Sequence, residues 1–248
     1  MPPFDTISFQ KNNMIAYVTL NRPRVLNAYN MQMRDELCQV LEAIRLDEDI
    51  GAVILTGAGD RAFCAGADLT EFGTTPSQVI ARNVRWERDI WGLLIDLPQI
   101  TIAALHGYVL GSGVELALLC DIRIAAKDTI LGLPETALGM LPAGGGTQSL
   151  ARIGGISTAL NLLLSGNKIS AQEALSLGLV ERVVAGNQLL TQAKVAAEAL
   201  VSPTTRCFVS VKKAVTLGMD LKLADGLALE TRLALPLLTA RQLEQGRN

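Results

Sequence analysis

Histidine is nearly absent from this 248-residue chain, His106 being its single copy. That leaves little room for a serine-histidine triad, and Ser112, in Leu-Gly-Ser-Gly-Val, lacks the G-x-S-x-G setting of a nucleophile elbow. Beside Gly107 at the end of a strand-like run, His106 reads as a hydrogen-bonded structural residue. Cysteine is also scarce. Cys38, Cys64, Cys120 and Cys207 stand far apart and form no C-x-x-C pair, so neither a zinc site, nor any other metal site, nor a disulfide framework is expected, and a reducing cytoplasm suits them. Basic runs are missing, and the formal net charge is -2. The closest approach to a run, Arg82, Arg85 and Arg88, has helical spacing and reads as a solvated stripe, which speaks against nucleic-acid binding. The most apolar region, Leu93 to Cys120, is broken by Asp96, Pro98, His106 and its glycines before it could cross a bilayer. The opening segment has no basic region followed by an apolar stretch, so it does not read as a secretory leader. A cytoplasmic protein without a membrane partner is expected.

What the chain does have is apolar bulk. Hydrophobic residues make up 49% of it, enough for one large core or a core with an appended region. The β-rich segments DTISFQ and MIAYVTL, separated by KNN, predict an opening hairpin. Met33, Leu37, Val40, Leu41 and Ile44 recur at helical spacing, with Asn30 as the cap. GAVILTG reads as a buried strand, SQVIARNVRWERDIWGLLIDL as one helix ended by Pro98, and QITIAALHG as the next strand. A helix opened by Gly111 to Gly113 follows, then short strands in DIRIAA and TILGLP. After Gly144 the pattern is largely helical, with LVERVV a late strand. Strands alternating with helices argue for an α/β core. A boundary near Asn187 would divide residues 1–187, the core, from residues 188–248, a helical region.

Three segments carry candidate chemistry. In VLGSGVELALLCD, glycines expose backbone N–H groups at a helix mouth whose dipole is positive, a setting for an oxygen that gains negative charge. Ser112 and Glu115 stand three residues apart, so an oxyanion donor and a base can share one side of that mouth; equally, Glu115 can serve only the amino end of its own helix. FCAGAD is a small-residue loop that lets a ligand approach the backbone. In GLPETALGMLPAGGGTQ, Glu135 stands among apolar neighbours, where a carboxyl tends to hold its proton. Gly57, Gly59 and Ala62 satisfy G-x-G-x-x-A, but no helix opens inside that motif, so it reads as a turn.

Together, LNRPRVLNAYN, DRAFCAGADL, LHGYVLGSGVELALLCDIRIAA, LPETALGMLPAGGGTQSLAR and LSGNKISAQEALSLGLVERVV closely resemble the crotonase, or enoyl-CoA hydratase/isomerase, family in order and spacing. The resemblance implies an α/β fold with a ββα spiral core and a C-terminal helical trimerisation region, often paired into hexamers. It implies a coenzyme A thioester as substrate, with no cofactor beyond it. The thioester oxygen would be held by the backbone N–H groups of Ala67 and Ser112, although family members often carry glycine where Ser112 stands. Arg24, Ala65, Asp68 and Leu69 match positions that hold the coenzyme A portion. Glu115 and Glu135 match the glutamate pair that adds water across a trans-2-enoyl thioester. Double-bond isomerisation and dehydration of a specialised acyl group use the same oxyanion site and are the nearest alternatives. A silent or RNA-binding member of the fold is disfavoured by the acidic balance and by both glutamates being present.

Overall fold

The structure is a computed structural model that describes residues 4–74, 77–201 and 205–245; the side chains of Arg82 and Arg85, and with them most of the arginine stripe, lie outside the described set. β1 (Ile7–Asn12) and β2 (Ile15–Leu20) form the expected antiparallel hairpin. α1 (Met31–Leu46) begins where Asn30 Oδ1 accepts the Met33 amide at 2.9 Å, and it buries the five apolar residues whose spacing predicts it.

The chain then winds in repeated turns. β3 (Ala52–Gly57) leads to β4 (Ala62–Cys64), α2 (Gln78–Glu87) and α3 (Ile90–Asp96). The next turn holds β5 (Ile100–Leu105), β6 (Tyr108–Leu110) and α4 (Ser112–Leu119), and the one after it β7 (Ile122–Ala126) and β8 (Ile130–Gly132). α5 (Gly146–Gly154), α6 (Ile156–Ser165), β9 (Lys168–Ser170), α7 (Ala171–Ser176), β10 (Arg182–Val184), α8 (Leu189–Leu200), α9 (Thr205–Gly218) and α10 (Leu223–Gln245) complete the order. Each full turn gives its first strand to a six-stranded sheet, β1-β2-β3-β5-β7-β10, and its second to a four-stranded sheet, β4-β6-β8-β9. This is the ββα spiral that the resemblance implies.

Beyond the hairpin the large sheet is parallel, and parallel strands are covered on both faces, which explains their unbroken apolar runs. One face packs on α1, α3 and α4 through residues such as Val18, Leu55 and Leu116. The other places Ile54, Ile102 and Ile124 against Leu189, Ala193 and Ala197 of α8. Each large aliphatic side chain so buried contributes about 1.5–3 kcal/mol. α9 and α10 pack on one another, and α9 is pinned to the sheet end by Lys212, whose Nζ donates to Asp121 Oδ2 at 2.7 Å and to the Gln99 carbonyl at 2.9 Å. Val211, Val215, Leu227, Leu235 and Leu238 stay exposed on this pair. Among the described residues no helix is long and apolar enough to cross a membrane.

Two expectations need correction. The single helix read from SQVIARNVRWERDIWGLLIDL is two, because the Asp89 side chain accepts the Gly92 amide at 3.1 Å and caps a new helix. The stretch after Gly144 also holds β9, three residues that pair antiparallel with β8. The G-x-G-x-x-A segment is a turn between β3 and β4, as its context requires.

Candidate active site

The loop after β4, the start of α3, the mouth of α4 and the segment from 134 to 144 enclose a cavity of about 450 Å³. Ala65, Ala67, Leu69, Ser112, Glu115 and Glu135 all line it. Arg24 and Asp68 do not. Arg24 borders a separate surface hollow formed by residues 21–25.

The loop carrying Ala67 is held by backbone pairing. The Tyr29 amide donates to the Gly66 carbonyl and the Asp68 amide to the Tyr29 carbonyl, each at 2.8 Å, which makes Tyr29 and Ala67 a parallel bridge. In such a bridge the flanking groups reach the partner while the middle residue's own N–H points the other way. Ala67 N–H donates to no protein oxygen among the described residues. Asp68 fastens the same loop: Arg22 Nη1 donates to the Ala28 carbonyl at 2.6 Å and to Asp68 Oδ2 at 2.9 Å. The Thr70 hydroxyl and then Arg22 hold the Asp68 carboxyl below the usual carboxylate range.

At the mouth of α4, Gly111 has φ 51, and a Cβ there would stand 2.8 Å from Glu135 Oε1 and 3.4 Å from Gly66 Cα. Only glycine meets both the left-handed backbone and the close approach. Ser112 is the first helical residue, so its N–H has no intrahelical acceptor, and among the described residues it donates to no protein oxygen. Glu115, 3% exposed, sits one turn in. Its Oε1 accepts the amides of Gly144 at 2.7 Å and Gly146 at 3.0 Å, across the cavity from its own helix. Two backbone donors on one oxygen solvate a negative charge there.

Glu135 has the opposite surroundings. It opens a 3-10 turn, Glu135–Leu138, behind Pro134. Its Oε2 is buried and accepts no hydrogen bond from the described residues. Burial, reinforced by the charge of Glu115, raises its carboxyl above the usual range. The site thus offers one carboxylate anchored by amides, one carboxyl that favours its proton, and two unspent N–H groups. Among the described residues no group of three metal-ligating side chains occurs.

Sequence reasoning did not single out Tyr29, Arg34 or Gly144 and read Arg88 as part of a solvated stripe; all four line the cavity. Of the residues on the helical run ahead of Pro98, Trp91 lines the cavity, Trp86 is exposed and Leu94 is core. The glycine run in PAGGGTQ was the one available signal for Gly144. A Cβ on it would stand 2.6 Å from Trp91 Cζ2 and 2.7 Å from Glu115 Oε2.

Residues 10–248 match the family described as enoyl-CoA hydratase/isomerase. The Bacillus subtilis protein YngF is 41% identical over 92% of this chain and 88% of its own. The short-chain-enoyl-CoA hydratase of Clostridium acetobutylicum is 37% identical over 92% of this chain and 87% of its own. The crystal structure of enoyl-CoA hydratase from Bacillus anthracis has a TM-score of 0.90 at 38% identity, covering 94% of this chain and 91% of that one.

Proposed function

The chain belongs to the enoyl-CoA hydratase/isomerase, or crotonase, family and is an enzyme of that family, and on that premise we propose that it adds water reversibly to trans-2-enoyl-CoA thioesters. The observation that supports this reading is the unequal pair of carboxyl groups, Glu115 and Glu135, in one cavity with the unspent amides of Ala67 and Ser112.

In this reading the thioester oxygen accepts hydrogen bonds from Ala67 N–H and Ser112 N–H. Glu115, its charge solvated by Gly144 and Gly146, takes a proton from water as the water oxygen bonds to the β-carbon. The double-bond electrons move through the α-carbon to the thioester oxygen, giving an enolate that the two amides stabilise. Glu135 then gives its proton to the α-carbon, and exchange with solvent restores both carboxyl groups. One donor of this kind is worth roughly 3–4 kcal/mol in the transition state. No electrons are gained or lost, so the chemistry calls for no redox cofactor, and in this reading the two amides supply the stabilisation of the enolate oxygen.

Ala65 and Leu69 on the wall and Arg24 outside it would meet the coenzyme A portion; Asp68 would act by holding the loop. Residues 188–248 would supply the trimer contacts, or those of a hexamer, through the exposed apolar residues of α9 and α10, a reading that light scattering tests by mass. Glu115→Gln and Glu135→Gln, assayed on crotonyl-CoA and on a 3-enoyl-CoA, test the chemistry. Hydration of crotonyl-CoA lost in both variants is expected. Near-normal turnover in both rejects the assignment, and turnover of the 3-enoyl thioester alone favours the isomerase reading.

A further inference from the structure

The cavity carries more positive charge than an aliphatic acyl chain needs. Its wall includes Arg34 and Arg88. Arg34 has a side chain only 19% exposed, with Nε and Nη2 both directed to Asp35 Oδ1 at 2.9 Å. Its Nη1 makes no hydrogen bond among the described residues. Arg88 lies against the Cys38 thiol, with the Asp35 and Glu42 carboxylates near it. Neither Asp35 nor Glu42 lines the cavity, so it is the cationic side of this cluster that the cavity meets.

Two aromatic rings, Tyr29 and Trp91, line the cavity together with the arginines and the two glutamates. Trp91 and Glu115 Oε2 meet at Gly144, and the Trp91 ring centroid is 5.8 Å from that of Tyr29. Tyr29 in turn feels the charge of Arg34. The Tyr29 hydroxyl makes no hydrogen bond among the described residues, and burial keeps the phenol protonated, ready to donate.

We propose that this cavity selects enoyl thioesters whose acyl chain ends in a second carboxylate, received by Arg34 and Arg88 with the Tyr29 hydroxyl beside them. The inference rests on the hydratase reading of the same cavity and narrows it to a substrate class. A guanidinium and a phenol match the two oxygens of a carboxylate, and such charge-assisted bonds are stronger than neutral ones. Placement follows from repulsion as well as attraction. A carboxylate close to Glu115 and Glu135 would be repelled, so the chain must carry its charge away from them and toward the arginines. Phe72, Met140 and Leu141 provide apolar wall for the intervening methylenes.

The test compares trans-2-enoyl-CoA thioesters of five to eight carbons bearing a free terminal carboxylate with their terminal methyl esters, using the purified full chain. For at least one length the free acid should exceed the ester in kcat/KM by about tenfold or more. In Arg34→Gln and in Arg34→Gln/Arg88→Gln that ratio should fall toward one, with Arg34→Lys intermediate. Taking the ratio within each variant cancels changes in folded fraction. Equal or better use of the ester at every length, with crotonyl-CoA still hydrated, overturns this inference and leaves the hydratase reading standing. A ratio unchanged in the double variant overturns the assignment to the arginines. Should no thioester be turned over, the hydratase reading fails. Calorimetric binding of adipoyl-CoA against its methyl ester then decides the matter separately, a tenfold preference for the acid supporting distal recognition and equal binding rejecting it.

Discussion

Glu115 and Glu135 are the same side chain on the wall of the same cavity, yet the chain treats them in opposite ways. Glu115 is delivered by the first turn of α4 and meets two amides from the segment that opens α5. Glu135 is delivered by a 3-10 turn after β8 and keeps a buried oxygen without a protein donor. Backbone geometry thus distinguishes a group suited to stay ionised from one suited to carry a proton, without any change in residue type. The glycines at 144 and 146 differentiate the pair as much as the glutamates themselves do.

The strongest way to break the comparison is to neutralise its members. Glu115→Gln and Glu135→Gln should each lower kcat/KM on crotonyl-CoA by about 100-fold or more, the span expected of general acid-base groups. The double variant should lose little beyond the worse single one, because the proposed mechanism puts both on one proton path; losses that multiply in full would show two independent roles. A subtler disturbance is Gly144→Ala. Its methyl group would collide with the Trp91 ring and with Glu115, so a loss of about 1–3 kcal/mol in stability is expected. A fall in kcat should accompany it, read by denaturant melts beside kinetics, and unchanged stability would contradict the close approach.

The donor side can be sharpened through Arg22. Arg22→Met removes the bridge to Ala28 and Asp68 and loosens the loop that aims Ala67. A roughly tenfold fall in kcat is expected, larger than any change in KM, with Arg22→Lys recovering part of it. The smallest effect concerns stability against pH. Because the folded Glu135 carboxyl is raised, its contribution is present at low pH and is lost as pH rises through the folded value. Glu135→Gln escapes that loss, so it should raise Tm at pH 8 more than at pH 4, at about 2–4 °C per kcal/mol for a chain of this size. A larger gain at pH 4 would show the shift to run the other way.

The opening hairpin, α1 with its Asn30 cap and the buried strands were legible because each rests on a local pattern, period two or period 3.6. The break at Asp89 was not, since a capping aspartate inside an amphipathic run looks like an exposed helical residue. β9 escaped for a different reason: three residues carry no periodicity, and its partner β8 lies about forty residues earlier in the chain. The motif residues Ala67, Ser112, Glu115 and Glu135 could be named by resemblance, and the structure gathers them around one cavity. What gives Glu115 and Glu135 unequal surroundings was hidden. The partner amides of Glu115 belong to a segment some thirty residues away, and the Arg22 latch spans 46 positions. Such links exist only after the spiral has closed. Arg34 was hidden in the same way, because on α1 it reads as one more charge on a solvated face.

The most direct measurement is a crystal structure with a bound acyl-CoA. The account predicts the thioester oxygen about 2.7–3.1 Å from both Ala67 N and Ser112 N, with Glu115 and Glu135 on the same side of the acyl α- and β-carbons. A thioester oxygen that touches neither amide, or glutamates on opposite sides of the chain, would contradict it.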